Sequence, residues 1–291
     1  MTKRNPDYDF KWCPGCGDFG VMRALEKALE ERCKTANELI ENTVVVAGIG
    51  CSGNIVHLQD GPQPYGIHGI HGRTLPIAYG IKAGNPKLNV IITAGDGDFL
   101  SIGGEHIGPA ARRNLDVVCI IMDNGIYGLT KGQASPTTQL NVITATTPLG
   151  KLDEAENPLE LYLTNGVGFI ASLISTKPKD ITKAILDGIN YPGLAIIHIQ
   201  SPCTTYNDTY ALLKGDVKND IEPLAIDLPE SHDPTNYSSA LEIARRNKIP
   251  VGILYNKEGS ISMNQKIDRQ KQSSNAQQRS VDELLSTLRL K

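Results

Sequence analysis

Two oxygen-bearing clusters stand 28 residues apart in this chain: Gly95-Asp96-Gly97-Asp98 and Asp123-Asn124-Gly125-Ile126-Tyr127-Gly128. Each follows an apolar run rich in β-branched residues, so each falls where a strand should end. A carboxylate and an amide carbonyl are hard donors of the kind Mg²⁺ takes in near-octahedral geometry, and the ion commonly completes its shell with phosphate oxygens. Asp96 and Asn124 supply one of each, and the Ile126 carbonyl is a third candidate. Their spacing fits a single crossover between neighbouring strands. The chemistry these residues point to is a diphosphate clamped through Mg²⁺. Asp-Gly pairs are also ordinary turn and cap residues, so the motif gains weight from its surroundings.

A second group is made of sulfur. Cys13-Pro14-Gly15-Cys16 is a CxxC pair, and Cys51 and Cys203 each follow a predicted strand. A CxxC pair with two distant thiolates suits a tetrahedral zinc or an iron-sulfur cluster. Cys33, on a predicted helix, and Cys119, inside a predicted strand, read as packed thiols. The turn Gly48-Ile49-Gly50-Cys51-Ser52-Gly53 is built of small residues that let backbone N–H groups approach a ligand closely.

Positioning these groups requires strands. Residues 43–49, 89–94, 116–122 and 194–200 are short, β-branched and bounded by Gly, Pro or polar residues, as buried parallel strands are. Helical patterns lie between and before them. Asp18 can cap a helix running to about Cys33, with Val21, Leu25, Ala28 and Leu29 on one face; further helices are predicted over 75–83, 102–113 and 180–189. The alternation predicts an α/β fold, an open and mostly parallel sheet flanked by helices. Ligands of such sheets bind beyond the carboxyl ends of the strands, which is where the motifs fall. After about residue 210 the pattern weakens to a helix over 237–247, an apolar stretch over 249–255, and a polar run over 257–279. The expectation is one domain over 1–210 and an extended C-terminal tail over 211–291 that docks on a partner.

Composition bounds the function. The 291 residues, 40% of them hydrophobic, suffice for one core with an annex. A net charge of −3, from 29 basic and 32 acidic residues, gives no positive field for nucleic acid. No apolar run approaches the ~20 residues of a membrane span, and the N-terminal residues carry no secretory core. A soluble, cytoplasmic chain is expected, in which the six cysteines are thiols or metal ligands rather than disulfides.

Taken together, the motifs resemble a known family. Gly-Asp-Gly followed by Asn124 is similar to the diphosphate-binding motif of thiamine-diphosphate enzymes. The continuation Tyr127-Gly128-Leu129-Thr130-Lys131-Gly132-Gln133-Ala134-Ser135-Pro136-Thr137 and the opening Trp12-Cys13-Pro14-Gly15-Cys16-Gly17-Asp18-Phe19-Gly20 resemble the 2-oxoacid:ferredoxin oxidoreductases, over roughly residues 10 to 210. The resemblance implies a thiamine-diphosphate-binding fold, with Asp96, Asn124 and Ile126 on Mg²⁺. It implies that Cys13, Cys16, Cys51 and Cys203 hold a 4Fe-4S cluster. Ile49, Gly50, Cys51, Ser52, His68, Gly97, Asp98, Gly128 and Leu129 are the implied cofactor contacts, Arg73 a possible charge partner, and Lys131 and Asn54 the substrate candidates.

The implied activity is oxidative decarboxylation of a 2-oxoacid to acyl-CoA, with electrons passed through the cluster to ferredoxin. Thiamine enzymes use a glutamate against the aminopyrimidine, and no matching motif stands here. The resemblance assigns that glutamate to an alpha, or fused gamma-alpha, partner subunit. Two rivals remain: a non-redox thiamine-diphosphate decarboxylase or synthase subunit, which has no use for the four cysteines, and a zinc-stabilised assembly subunit, which has none for the diphosphate motif.

Overall fold

In the computed structural model, which describes residues 10–35, 38–61, 63–274 and 280–288, the β-branched runs become strands of one sheet. They are β1 (Thr43–Ala47), β2 (Tyr65–His68), β3 (Asn89–Gly95), β4 (Val117–Asp123), β7 (Phe169–Ile174), β8 (Leu194–Gln200), β9 (Ala225–Asp227) and β10 (Ile249–Asn256); β5 (Ile126–Tyr127) and β6 (Gln133–Ala134) form a separate small hairpin. The helices are α1 (Asp18–Thr35), α2 (Ile55–Leu58), α3 (Thr74–Gly84), α4 (Ile107–Arg113), α5 (Pro158–Thr164), α6 (Pro178–Asn190), α7 (Tyr210–Lys214), α8 (Tyr237–Ala244), α9 (Met263–Ser273) and α10 (Val281–Leu288).

The sheet order is β2-β1-β3-β4-β8-β7-β10-β9. Pairing is parallel from β2 to β7, and β10 runs antiparallel to β7. Successive side chains point to opposite faces, which splits the core into two layers. Val45, Ile91, Val118 and Ile197 pack under α1 and α6, against Val21, Leu25, Ile181 and Ile185. Val46, Ile92, Cys119 and Ile196 face the other layer, with Leu75, Ile107 and Tyr162. Cys119 is fully buried, as its place inside a strand requires.

The predicted parallel sheet is observed, with differences that have physical causes. Residues 65–68, outside the strands expected from the sequence, form the edge strand β2, because β1 presents a free parallel edge to them. The helix expected over 102–113 begins only at Ile107; ahead of it, Gly97–Ile102 winds as a wide π-helical turn, a device common at functional sites. Asp18 opens α1 but does not cap it: its carboxylate accepts from Ser201 Oγ at 2.6 Å, while the N–H of Gly20 bonds Gly17 O.

The extended C-terminal tail needs correction. Its apolar stretch is β10, inserted between β7 and β9 with Leu254 fully buried, since the apolar ladder of β7 would otherwise be an open edge. The sheet therefore does not end at residue 210. Part of the polar run over 257–279 is α9, whose Ser262 and Gln265 form a reciprocal capping box. Residues 1–9, read as lacking a secretory core, and residues 275–279 of that polar run lie outside the described residues. No helix among the described residues is long and apolar enough to cross a membrane.

Chains cut after Lys248 and after Ser274 should behave differently. The first loses β10 and the buried Val251, Leu254, Tyr255 and Met263, each side chain contributing about 1.5–3 kcal/mol. It should aggregate or melt far lower, while the second melts within a few degrees of the full chain. Equal melting of both would show that β10 is dispensable to the sheet.

Candidate cofactor and thiol site

The register places the carboxyl ends of β1, β3, β4 and β8 along one edge, and the chemistry collects there. Asp96 follows β3 and is buried; Thr137 Oγ1 lies 2.8 Å from its Oδ2 and 2.7 Å from Asp123 Oδ1. Burial, then the charge of Asp123, pushes the Asp96 carboxyl up to about 7, against hydrogen bonds from Ser135, Thr137 and the Asn124 N–H. Burial also works to raise Asp123, but the hydrogen bond and charge of His198, with Thr137 and the Gly125 N–H, hold it below the ordinary carboxylate value. Asn124 sits beside Asp96, its Oδ1 accepting from the Ile126 N–H at 3.0 Å and its carbonyl from Asn207 Nδ2 at 2.8 Å. A pair of buried carboxyls, one of them pushed upward by burial and by the charge of the other, is a place where a cation would supply the neutralising charge. The donors fit Mg²⁺.

Asp98 ties the surrounding loops together. Its Oδ1 accepts from Ile49 N at 3.1 Å and from Gly72 N at 2.8 Å, with His71 Nε2 at 3.4 Å. Its Oδ2 is buried without a partner, and burial raises the carboxyl above its ordinary value. Glycine is required at Gly48 and Gly97: an added Cβ would stand 1.8 Å from Asp98 Oδ2 in the first case and 2.3 Å from the Tyr127 ring in the second. Ser52 is buried against Gly95, and Gly50 turns the chain with φ 132°.

The thiols gather on the same edge. A Cβ on Gly128 would lie 3.5 Å from Cys51 Sγ, 3.7 Å from Cys203 Sγ and 4.0 Å from Asn124 Nδ2, so one glycine borders both chemistries. Hydrogen bonds stitch the CxxC loop to the others: Gly17 N to Pro202 O at 3.0 Å, Thr204 Oγ1 to Pro14 O at 3.0 Å, Tyr210 OH to Gly15 O at 2.9 Å and Trp12 Nε1 to Cys51 O at 2.8 Å. Burial, then the charge of Asp18, pushes the Cys16 thiol far up, with Cys51 and Cys203 adding to it. The same two causes take Cys51 to about 12, with Cys203 and Cys13 contributing. These thiols need a bound cation to ionise. Among the described residues no three or more His, Cys, Asp or Glu side chains close around a single-ion position; Cys51 and Cys203 both border Gly128, and Cys16 and Cys13 are within electrostatic reach of Cys51.

The remaining candidates lie further out. His68, on the edge strand, pairs with His57 (Nδ1 to Nε2, 2.9 Å), and its Nε2 faces Gly53 of the cysteine turn. Arg73 donates to the Gly72 and Ile102 carbonyls and pairs with Glu105 at 3.5 Å. Asn54 is buried, with its Nδ2 donating to the Gly50 and Cys51 carbonyls. Leu129 and Lys131 are exposed on the β5–β6 hairpin, Lys131 at φ 78°, a conformation that costs a non-glycine residue energy.

Sequence reasoning missed Thr137, Ser135 and His198. The last was open to detection, since an imidazole inside the otherwise apolar run 194–199 needs a buried partner.

Comparison with known proteins places this arrangement. The family described as thiamine pyrophosphate enzyme, C-terminal TPP binding domain, matches residues 48–199, so the strand-end site belongs to a thiamine-pyrophosphate-enzyme domain. A second family, the C-terminal part of the pyruvate ferredoxin oxidoreductase beta chain, matches residues 203–272. The chain belongs to the beta subunits of the 2-oxoacid:ferredoxin oxidoreductases. It is 39% identical over 254 residues to such a subunit from Sulfolobus sp, covering 85% of this chain and 82% of the relative. It is 40% identical over 253 residues to one from Aeropyrum pernix, covering 84% and 77%. The solved structure of a 2-oxoglutarate:ferredoxin oxidoreductase from Magnetococcus marinus, with 2-oxoglutarate, coenzyme A and succinyl-CoA bound, superposes with a TM-score of 0.85 at 32% identity, covering 99% of this chain and 95% of that one.

Asp18 yields a pH prediction. Unfolded, it loses its proton near 3.8; folded, burial holds the proton until about 6. The folded chain binds the extra proton between those values, so stability falls as pH rises through that window. In the metal-free chain, Asp18→Asn should be neutral at about pH 4 and stabilising by on the order of 3 kcal/mol at about pH 7, read from denaturant unfolding. A difference that does not change with pH would show that burial does not hold the proton there.

Proposed function

We propose that this chain is the thiamine-diphosphate-binding subunit of an enzyme that oxidatively decarboxylates a 2-oxoacid to its acyl-CoA and passes the electrons through a 4Fe-4S cluster to ferredoxin. The observation that carries the reading is the single strand-end edge on which Gly128 borders Cys51, Cys203 and Asn124. A redox centre and a diphosphate clamp that share one wall are what electron transfer over a short path needs, and neither a non-redox thiamine enzyme nor an assembly subunit has use for both.

When bound, thiamine diphosphate supplies the nucleophilic carbon and the electron sink for loss of carbon dioxide, and the cluster accepts electrons one at a time. The chain's own residues prepare the site for them. Asp96, Asn124 and the Ile126 carbonyl would hold Mg²⁺ on the diphosphate. Ile49, Gly50, Ser52, Gly97, Asp98, Gly128 and Leu129 would wall the cofactor, with His68 at the rim and the Asp98 clasp holding the loops at Ile49 and Gly72 in register. Cys13, Cys16, Cys51 and Cys203 would be the cluster thiolates. Lys131, held at positive φ on the hairpin tip, offers a cation to the carboxylate of a 2-oxoacid, and Asn54, the other substrate candidate, holds the turn at Gly50 and Cys51.

The site lacks an acid for the aminopyrimidine among these residues, and the partner, an alpha or fused gamma-alpha subunit, would supply it. The C-terminal segment supports docking on that partner: Val281, Leu284, Leu285 and Leu288 form an exposed apolar stripe along α10. Thiolate ligation and an oxidisable cluster fit a reducing, cytoplasmic setting.

Anaerobically purified protein should contain about four irons and four acid-labile sulfides per chain; zinc alone, or no metal, would return the reading to its rivals. The chain alone should show no 2-oxoacid-dependent reduction of ferredoxin, and adding the partner subunit should restore it. Turnover by the isolated chain would refute the assignment of the missing acid to the partner.

A further inference from the structure

The Asp96 carboxylate is held by more than its own strand end. Thr137 Oγ1 stands 2.8 Å from Asp96 Oδ2 and 2.7 Å from Asp123 Oδ1, and all three residues are buried. A hydroxyl has one hydrogen to donate, so it cannot serve two carboxylates at once. Asp123 already has three other donors: His198 Nε2 at 2.9 Å, Gln200 Nε2 at 3.2 Å and Gly125 N at 3.0 Å. Asp96 has two other donors, the Ser135 hydroxyl and the Asn124 N–H, which do not offset its burial, so it is the partner with the greater need of the Thr137 hydrogen.

Behind Asp123 the chain of contacts continues into the core. Tyr162, fully buried, places its hydroxyl 3.1 Å from His198 Nδ1. With Asp123 ionised, the hydrogen of a neutral imidazole sits on Nε2, and Nδ1 accepts from the tyrosine. That contact fixes the ring in one tautomer and one orientation. The Thr137 loop is pinned as firmly: Ser135 N donates to Thr138 Oγ1 at 2.7 Å, and Thr138 Oγ1 donates to Gly125 O at 2.6 Å. The Tyr162 ring packs in the core, but its hydroxyl and the polar atoms of Asp123, His198, Thr137 and Thr138 are not needed for that packing, where apolar groups would do as well.

We propose that Thr137 is a positioning residue for the cation site, holding Asp96 in the orientation that receives Mg²⁺, and that Asp123, His198 and Tyr162 form the rigid post against which Thr137 is set. The inference rests on the reading of Asp96 as a cation ligand. Outer partners of metal ligands typically contribute 10–100-fold in metal affinity. The effect is therefore on the Mg²⁺ dependence of cofactor binding rather than on the fold.

The test is equilibrium dialysis of thiamine diphosphate against the full chain with its co-produced partner subunit, across a Mg²⁺ series. Thr137→Val keeps the shape and removes the hydroxyl. Its Mg²⁺ midpoint should rise about 10–100-fold, with full binding recovered at high Mg²⁺. Thr137→Ser should return the midpoint to near the wild-type value, and His198→Gln should shift it in the same direction as Val by a smaller factor. If Val is not tolerated, Thr137→Ala carries the same comparison with Ser. An unchanged midpoint in the hydroxyl-deleted variant overturns the inference, as does a loss of binding that no Mg²⁺ concentration restores in a variant that melts like wild type. A wild-type complex that binds no thiamine diphosphate at any Mg²⁺ concentration overturns the functional reading itself, a result readily told apart from a binding wild type beside an indifferent variant.

Discussion

The parallel register of β1, β3, β4 and β8 is the constraint on which the site depends. Gly95 lies level with Met122, and Asp123 with Gln200, so the residues that follow each strand emerge together. The roles proposed for Asp96 and Cys203 depend on parallel pairing, which brings distant strand ends to a common edge. Helices on both faces make that pairing possible by burying the sheet. The antiparallel β10 then shields β7, which leaves the central register without an exposed ladder near the chemistry.

Gathering acids and thiols on one edge has an electrostatic cost, and the local structure is arranged to meet it. Asp96, Asp98, Asp123 and Asp18 are all buried, and a buried carboxylate without donors neutralises itself. Each has a different solution. Asp123 is ionised because His198, Gln200 and Gly125 supply hydrogens. Asp98 takes two backbone N–H groups from separate loops. In Asp96 and Asp18 the hydrogen bonds do not offset burial, and both are pushed towards the protonated form. These two stand beside the proposed cation and the proposed cluster, where positive charge would enter. On the proposed reading, binding of metal would release these protons, and those of the thiols raised by the same burial.

Much of this was legible in the sequence, and what was not has physical reasons. The strands over 89–94, 116–122 and 194–200 were visible because fully buried parallel strands read as unbroken β-branched runs, and their observed limits differ by one residue at most. β2 was hidden by its glycine and histidine, since an edge strand is held by a single neighbour and carries no apolar signature of its own. β10 was seen as an apolar stretch but detached from the sheet, because long-range antiparallel pairing leaves no trace in local pattern. Asp96 and Asn124 announced themselves through strand ends and glycines. Thr137 did not, because a threonine in a polar loop shows its role only when the fold sets it between two carboxylates.

The same edge also explains why this chain is built as a subunit. Its polar groups are turned inward, onto Asp96, Asp98 and the thiols, while Ile49, Ile70, Ile102 and Leu129 on neighbouring segments are exposed. Scattered single apolar residues on a surface need no explanation. Four of them on loops that border one site are different, because solvent there would raise the local dielectric and weaken every contact the buried acids make. A covering surface would exclude that water and, on the proposed reading, would also bring the acid for the aminopyrimidine. Burial of the carboxylates from within and closure of the rim from without are then two halves of one requirement: charge can be handled at this edge only where bulk water is absent.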